Sequence, residues 1–128
     1  MTEELIDNNG ASVTVRLVVD RPISSYTVNL AEKSPVGRAD FVDSPGGDRI
    51  FFHTEVDPEF GGRGLAGLLV REALTDSIRK NLTVVPVCPL FARHLSKHGD
   101  EFVAKGGVFR RPTPADIALA EEAVAEAT

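Results

Sequence analysis

The sequence predicts a single α/β (α+β) domain in which an antiparallel meander is followed by a βαβ unit on one mixed sheet. Three observations carry this. The first half alternates apolar and polar residues with a period of two. At Gly64 the period changes to that of a helix. Immediately after that helix, Leu82 to Cys88 forms a short apolar run, the pattern of a buried strand. A chain of 128 residues with 42% apolar content makes one domain, able to bury roughly two-thirds of its unfolded surface. The core is expected at about residues 13–103 and a helical tail at about 113–127.

Val13, Val15, Leu17 and Val19 alternate with Thr14 and Arg16, a strand stopped at Arg21-Pro22. Tyr26, Val28 and Leu30 repeat the pattern. Val36 to Val42 and Arg49 to Val56 are joined by Ser44-Pro45-Gly46-Gly47, where proline then glycine predicts a type II turn. From Gly64, Ala66, Leu69, Val70, Ala73, Leu74 and Ile78 share one helical face while Glu72, Thr75, Asp76 and Arg79 lie opposite, so the helix is expected to lie on the sheet. Asn81 suits a left-handed stop. The strand after it must run parallel to the one ending at Val56 if the crossover is ordinary. Pro89 opens a second helix expected over Leu90 to His98, and Thr113-Pro114-Ala115-Asp116 resembles a capping box before an alanine-rich terminal helix.

Composition narrows the function. A formal charge of −5 argues against broad attraction to nucleic acid or anionic lipid. Gly61-Gly62-Arg63-Gly64 resembles an RNA-binding arginine-glycine segment, but such segments come in repeats. No apolar run approaches the roughly 20 residues a bilayer requires. Cys88 is the single cysteine, so an internal disulfide is impossible and a reducing, cytoplasmic setting is expected. His94 and His98 are four apart on the second helix, but spacing assigns no third ligand, so no metal is expected.

The chemistry concentrates in Glu59 to Leu74, EFGGRGLAGLLVREAL, where four glycines crowd the mouth of a helix. Glycine there lets backbone amides approach an anion that the helix dipole favours. Gly62-Arg63-Gly64-Leu65-Ala66-Gly67 satisfies the dinucleotide pattern G-x-G-x-x-G, but the context differs. The loop follows a meander instead of a first strand, and Val84 to Cys88 offers no acid for a ribose. A phosphate-loop NTPase would need a terminal Gly-Lys-Ser/Thr.

The neighbouring words, His53-Thr54-Glu55-Val56, Pro58, Gly62-Arg63-Gly64-Leu65-Ala66, Leu69 and Pro86-x-Cys88-Pro89, resemble the small single-domain branch of the GNAT superfamily of acyl-CoA-dependent N-acetyltransferases. The resemblance covers roughly residues 25–103. That superfamily's loop, Gln/Arg-x-x-Gly-x-Gly/Ala, is matched at Gly64 and Ala66, with Gly61 standing where glutamine or arginine is usual. The resemblance implies a truncated acyltransferase fold using acetyl-CoA as cosubstrate to acetylate a primary amine. It implies that the pyrophosphate meets the amides of Gly62, Arg63, Gly64, Leu65, Ala66 and Gly67. It also implies that the pantetheine lies near Thr54 and Val56, where the strands carrying Thr54 to Val56 and Val84 to Val87 splay apart. Pro86 fits such a break, because proline lacks the N–H a central ladder needs.

Amide formation from a thioester needs a neutral amine, an oxyanion donor and a proton for the departing thiolate. His53 and Glu55 share a strand face, and histidine suits removal of an ammonium proton near neutrality. Cys88 precedes a helix start, where the dipole favours a thiolate; the resemblance to the small branch implies that His53 and Cys88 are active-site candidates, with the cysteine either an acid or an acyl-carrying nucleophile. The alternative is a non-catalytic acyl-CoA-binding or protein-interaction module, favoured by Gly61. The acceptor amine and the oligomeric state are open at this point.

Overall fold

The computed structural model describes residues 5–128. Among these residues seven strands form one sheet in sequence order: β1 (Leu5–Ile6), β2 (Ser12–Val18), β3 (Ser24–Asn29), β4 (Gly37–Asp43), β5 (Asp48–Val56), β6 (Thr83–Pro86) and β7 (Val108–Phe109). β1 to β5 pair antiparallel, and β6 lies parallel to β5 and to β7. Helix α1 (Leu65–Arg79) makes the crossover from β5 to β6, and α2 (Pro89–Ala104) makes the one from β6 to β7. The meander followed by a βαβ unit is therefore the observed architecture. The two-residue edge strands β1 and β7 had no signal in the sequence, being too short for a period to register.

One face of the sheet packs on α1 and α2 through Val28, Phe41, Phe51, Leu69, Val84 and Phe91. The opposite face packs on α3 (Pro114–Ala127), where Ala123 closes over Val42, Ile50 and Val85. Burying these side chains contributes on the order of 1.5–3 kcal/mol each for the larger ones.

Four local expectations need correction. The turn between β4 and β5 is not type II, because Gly46 is not at positive φ and Gly47 is (φ 87°), as in a type I turn closed by a left-handed glycine. α2 continues to Ala104, bending at His98 (φ −123°), because Phe102 adds a further core contact beyond the expected stop. The buried face of α1 also includes Leu65, Leu68 and Ser77, while Ala66 and Ile78 are only half-buried. Asp76 does not face solvent: Tyr26 donates to it at 2.5 Å, and Arg49, itself paired with Asp43, donates to the Tyr26 hydroxyl at 2.8 Å. Burial alone would raise the Asp76 pKa, but the Tyr26 hydrogen bond and Lys80 hold it below the usual carboxylate range.

The capping box at α3 is present: the Thr113 side chain accepts from the Asp116 amide, and Asp116 Oδ2 accepts from the Thr113 amide at 2.8 Å. Arg110 ties this cap to the sheet through Asp116 (2.7 Å) and Asp48 (2.8 Å). The Arg110 hydrogen bond holds the Asp116 carboxyl well below the usual carboxylate range. A depressed carboxylate pKa gives stability that is present above the unfolded value and lost as pH falls through the folded one. Asp116→Asn should therefore lower the melting temperature at neutral pH. The gap from wild type should narrow in melting curves taken progressively below about pH 4.

Candidate active site

The glycine loop sits between a 3-10 turn (Pro58–Phe60) and α1. Gly62 (φ 79°) and Gly64 (φ 77°) are both left-handed, a geometry that turns successive amides to one side. The Asp7–Gly10 turn holds the loop's other side: the Asn8 amide donates to Arg63 O at 2.9 Å, and Asn8 Nδ2 lies 3.5 Å from Gly62 O. Gly64 packs directly under Asn8, whose side-chain atoms would stand 3.1 Å from an added Cβ. With the carbonyls occupied, the six amides from Gly62 to Gly67 donate to no acceptor among the described residues. Gly64, the N-cap of α1, supplies no side-chain cap. Such a row of unspent donors at the positive end of a 15-residue helix is chemically suited to an anion, and diphosphate is of a size to span it.

Arg63 belongs to the loop's support, not to its open side. Its Nε lies 2.9 Å from Asp7 Oδ2 and its Nη1 3.0 Å from Glu32 Oε1, with the guanidinium over the Phe60 ring at 5.5 Å. Asp7 Oδ1 meanwhile accepts from the Asn9 and Ala11 amides, each at 2.9 Å. Burial would raise the Asp7 pKa, but these amides and Arg63 hold it below its ordinary value. Sequence reasoning missed Asp7, Asn8 and Glu32. Asp7-Asn8-Asn9-Gly10 is a legible turn, but nothing in its spacing announces that it braces a loop more than 50 residues later.

The second half of the site is a break in the sheet. β5 and β6 pair only as far as Phe51 and Pro86. There the Val87 and Cys88 amides both turn onto Phe51 O, at 3.0 and 2.8 Å, and the chain enters α2. Pro86 is the residue at which the ladder stops, as its missing N–H requires. β5 runs on through Val56 with no strand beside it on that edge among the described residues. The splay expected between Thr54–Val56 and Val84–Val87 is thus a feature of the fold.

Five residues surround the break. Cys88, the N-cap of α2, is 3% exposed and its Sγ lies 3.4 Å from Thr54 Oγ1. Val56 packs on the same helix-covered side. His53 and Glu55 alternate with Thr54 along β5 and so face the other way, both about half exposed, with His53 Nε2 3.6 Å from Glu55 Oε2. His53 Nδ1 has no hydrogen-bond partner among the described residues. Beside them, Asp40 accepts from Ser25 at 2.6 Å and from Arg38 at 3.0 Å, and Arg38 also pairs with Glu55. A β-bulge between Asp40 and Phe41 puts Phe52 and His53 on the same face, Phe52 under α3 and His53 beyond it in the open. The structure therefore brings the loop, Thr54, Val56 and Cys88 to the helix side of one gap and His53 with Glu55 to its solvent side. His94 and His98 have ring centroids 5.0 Å apart. Among the described residues no group of three or more metal-ligating side chains lies together.

A family model described as GCN5-related N-acetyl-transferase matches residues 25–104, more than half of the chain. Among solved structures, the chain is similar to a Klebsiella pneumoniae subsp. pneumoniae MGH 78578 protein assigned as an acyl-CoA N-acyltransferase. The two share 17% identity with a TM-score of 0.42, over 47% of this chain and 41% of that one. It is also similar to an acetyltransferase of the GNAT family from Staphylococcus aureus Mu50, at 8% identity and a TM-score of 0.43, over 62% of this chain and 51% of that one. The chain spans about half or less of the length of these structures. No curated protein matches it. On the family match, the chain is a member of the GCN5-related N-acetyltransferase family.

Proposed function

We propose that this protein transfers an acetyl group from acetyl-CoA to a primary amine. The observation that carries the proposal is the row of six unspent amides, Gly62 to Gly67, at the start of α1. In this reading they hold the pyrophosphate, and the unpaired edge of β5 beyond Phe51 receives the pantetheine arm beside Thr54 and Val56. When bound, acetyl-CoA supplies an activated acyl carbon at the gap. His53, on the open side, takes the proton from the incoming ammonium directly or through water, and Glu55 orients its ring. Cys88, on the buried side, protonates the departing sulfur, with Thr54 Oγ1 holding Sγ in place. The N–C bond then forms as the C–S bond breaks, without an acyl-cysteine, because thioester aminolysis is feasible once the amine is neutral and oriented; the second proton, shed by the nitrogen as it becomes an amide, passes to water, from which Cys88 regains the proton it gave to the departing sulfur. The single buried thiol fits a cytoplasmic setting.

One observation favours a second reading, a non-catalytic acyl-CoA-binding or interaction module. Gly61 offers no side chain where the family usually has glutamine or arginine, and Arg63 is spent on Asp7 and Glu32. Phosphate would then be held by backbone alone. Melting curves with a ligand panel test binding: CoA at 100 times its dissociation constant should add about 2.7 kcal/mol, and NAD should add none. Free-thiol release from acetyl-CoA then separates the readings. Release that depends on an added primary amine supports the transferase. CoA stabilisation with no release from a broad amine panel supports the module, and stabilisation by NAD alone overturns both.

A further inference from the structure

Beyond the loop, a cleft of about 210 Å³ opens between α1 and α2, running from Ala66 and Gly67 to Arg93 and Lys97. It shares His94 and His98 with a second cleft of about 410 Å³ that is lined by Arg71 and Lys105. Charge is distributed unevenly toward this region. Of the 14 lysines and arginines, Lys33, Arg38, Arg49, Arg63, Arg79, Lys80 and Arg110 have carboxylate partners among the described residues. Of the remainder, Arg71, Arg93, Lys97 and Lys105 all line the two clefts. The one acid in the lining, Glu101, faces His98 at 3.7 Å. Most of the cations unpaired among the described residues thus lie along one groove that begins at the free amides of the loop.

We propose that this groove holds the adenosine 3′-phosphate end of the cosubstrate, making the protein selective for CoA over dephospho-CoA. The inference rests on the acyl-CoA reading of the loop. With the pyrophosphate on the amides, the remaining anionic group is a phosphate monoester one ribose away, carrying nearly two charges at neutral pH. Arg93 and Lys97 are one helical turn apart, about 6 Å along α2, beginning beside Gly67. A guanidinium and an ammonium at that spacing can take a phosphate from two sides. His94 lines both clefts. Burial, then the neighbouring charges of His98 and Arg71, hold its pKa below the ordinary histidine value, and Glu101 opposes them only in part. Arg93 and Lys97 have no carboxylate partner among the described residues, and Glu101, the one acid in the lining, faces His98.

The test is calorimetric titration of wild type and an Arg93→Glu/Lys97→Glu double variant with CoA and with dephospho-CoA. Both side chains are exposed, and binding of dephospho-CoA serves as the folding control. Wild type should prefer CoA by roughly 10- to 100-fold. In the variant, CoA affinity should fall to that of dephospho-CoA, whose own affinity should be little changed. The His94 titration midpoint, followed by NMR, should rise on saturation with CoA and much less with dephospho-CoA. Equal wild-type affinities for the two ligands, or a variant that keeps the preference, would overturn this inference and leave the acyl-CoA reading standing. Failure of wild type to bind either ligand would overturn that reading itself.

Discussion

Replacing His53 with alanine is expected to lower turnover by roughly 100-fold or more while leaving the affinity for acetyl-CoA unchanged, the signature of a lost general base. The expectation follows from where His53 stands. It is on the solvent side of β5, next to the edge that loses its partner strand after Phe51, while the loop assigned to the cosubstrate lies on the helix side. An amine can therefore approach His53 from the open face without displacing anything bound at Gly62–Gly67. Glu55 stands beside the ring and is connected through Arg38 to Asp40, so a Glu55→Gln variant should show a smaller loss than His53→Ala. Steady-state kinetics with acetyl-CoA and a responsive amine give the measurement. Normal turnover in His53→Ala would move proton removal to Glu55 or to water.

The second large effect is expected at Ala66. Ala66→Glu places a carboxylate in the first turn of α1, where a negative charge favours the helix by about 0.3–1 kcal/mol. The fold should therefore survive with an unchanged or slightly higher melting temperature. The same carboxylate would meet the pyrophosphate at its proposed seat, and a like-charge encounter there costs several kcal/mol, lowering CoA affinity by roughly 100-fold or more. Gly64 is a poorer position for this experiment. It is left-handed and sits against Asn8, so any side chain there strains the loop as well as the site. Equal CoA affinity in wild type and Ala66→Glu would mean that the loop is a turn and nothing more.

Where the sequence was legible, a local rule and the tertiary structure agreed. The alternation through β2 to β5, the helical period of α1, the stop at Asn81 (φ 56°) and the Thr113 cap each depend on residues a few positions apart. Pro86 was legible for the same reason, since a missing N–H limits a ladder wherever it falls. What stayed hidden were partners chosen by the fold. The Asp76 position on α1 reads as solvated, but Tyr26 and Arg49 reach it from two strands far away in sequence. Asn8 braces Arg63, and Arg93 and Lys97 come to face Gly67, only because the sheet order puts them side by side. Periodicity also reports which face of a helix is apolar but not how far it continues, which is why α2 outran its expected end at His98. At the site itself, the opposite facing of His53 and Cys88 follows from strand alternation once Thr54 is known to touch Cys88.

The most direct measurement is a nitrogen-15 chemical-shift titration of the backbone amides with CoA. The account predicts that the resonances of Gly62 to Gly67 move first and furthest, together with the unpaired edge of β5 from Thr54 to Val56, and that NAD at the same concentration moves neither. Saturation by CoA with the loop amides unmoved, or shifts confined to another face of the sheet, would contradict it.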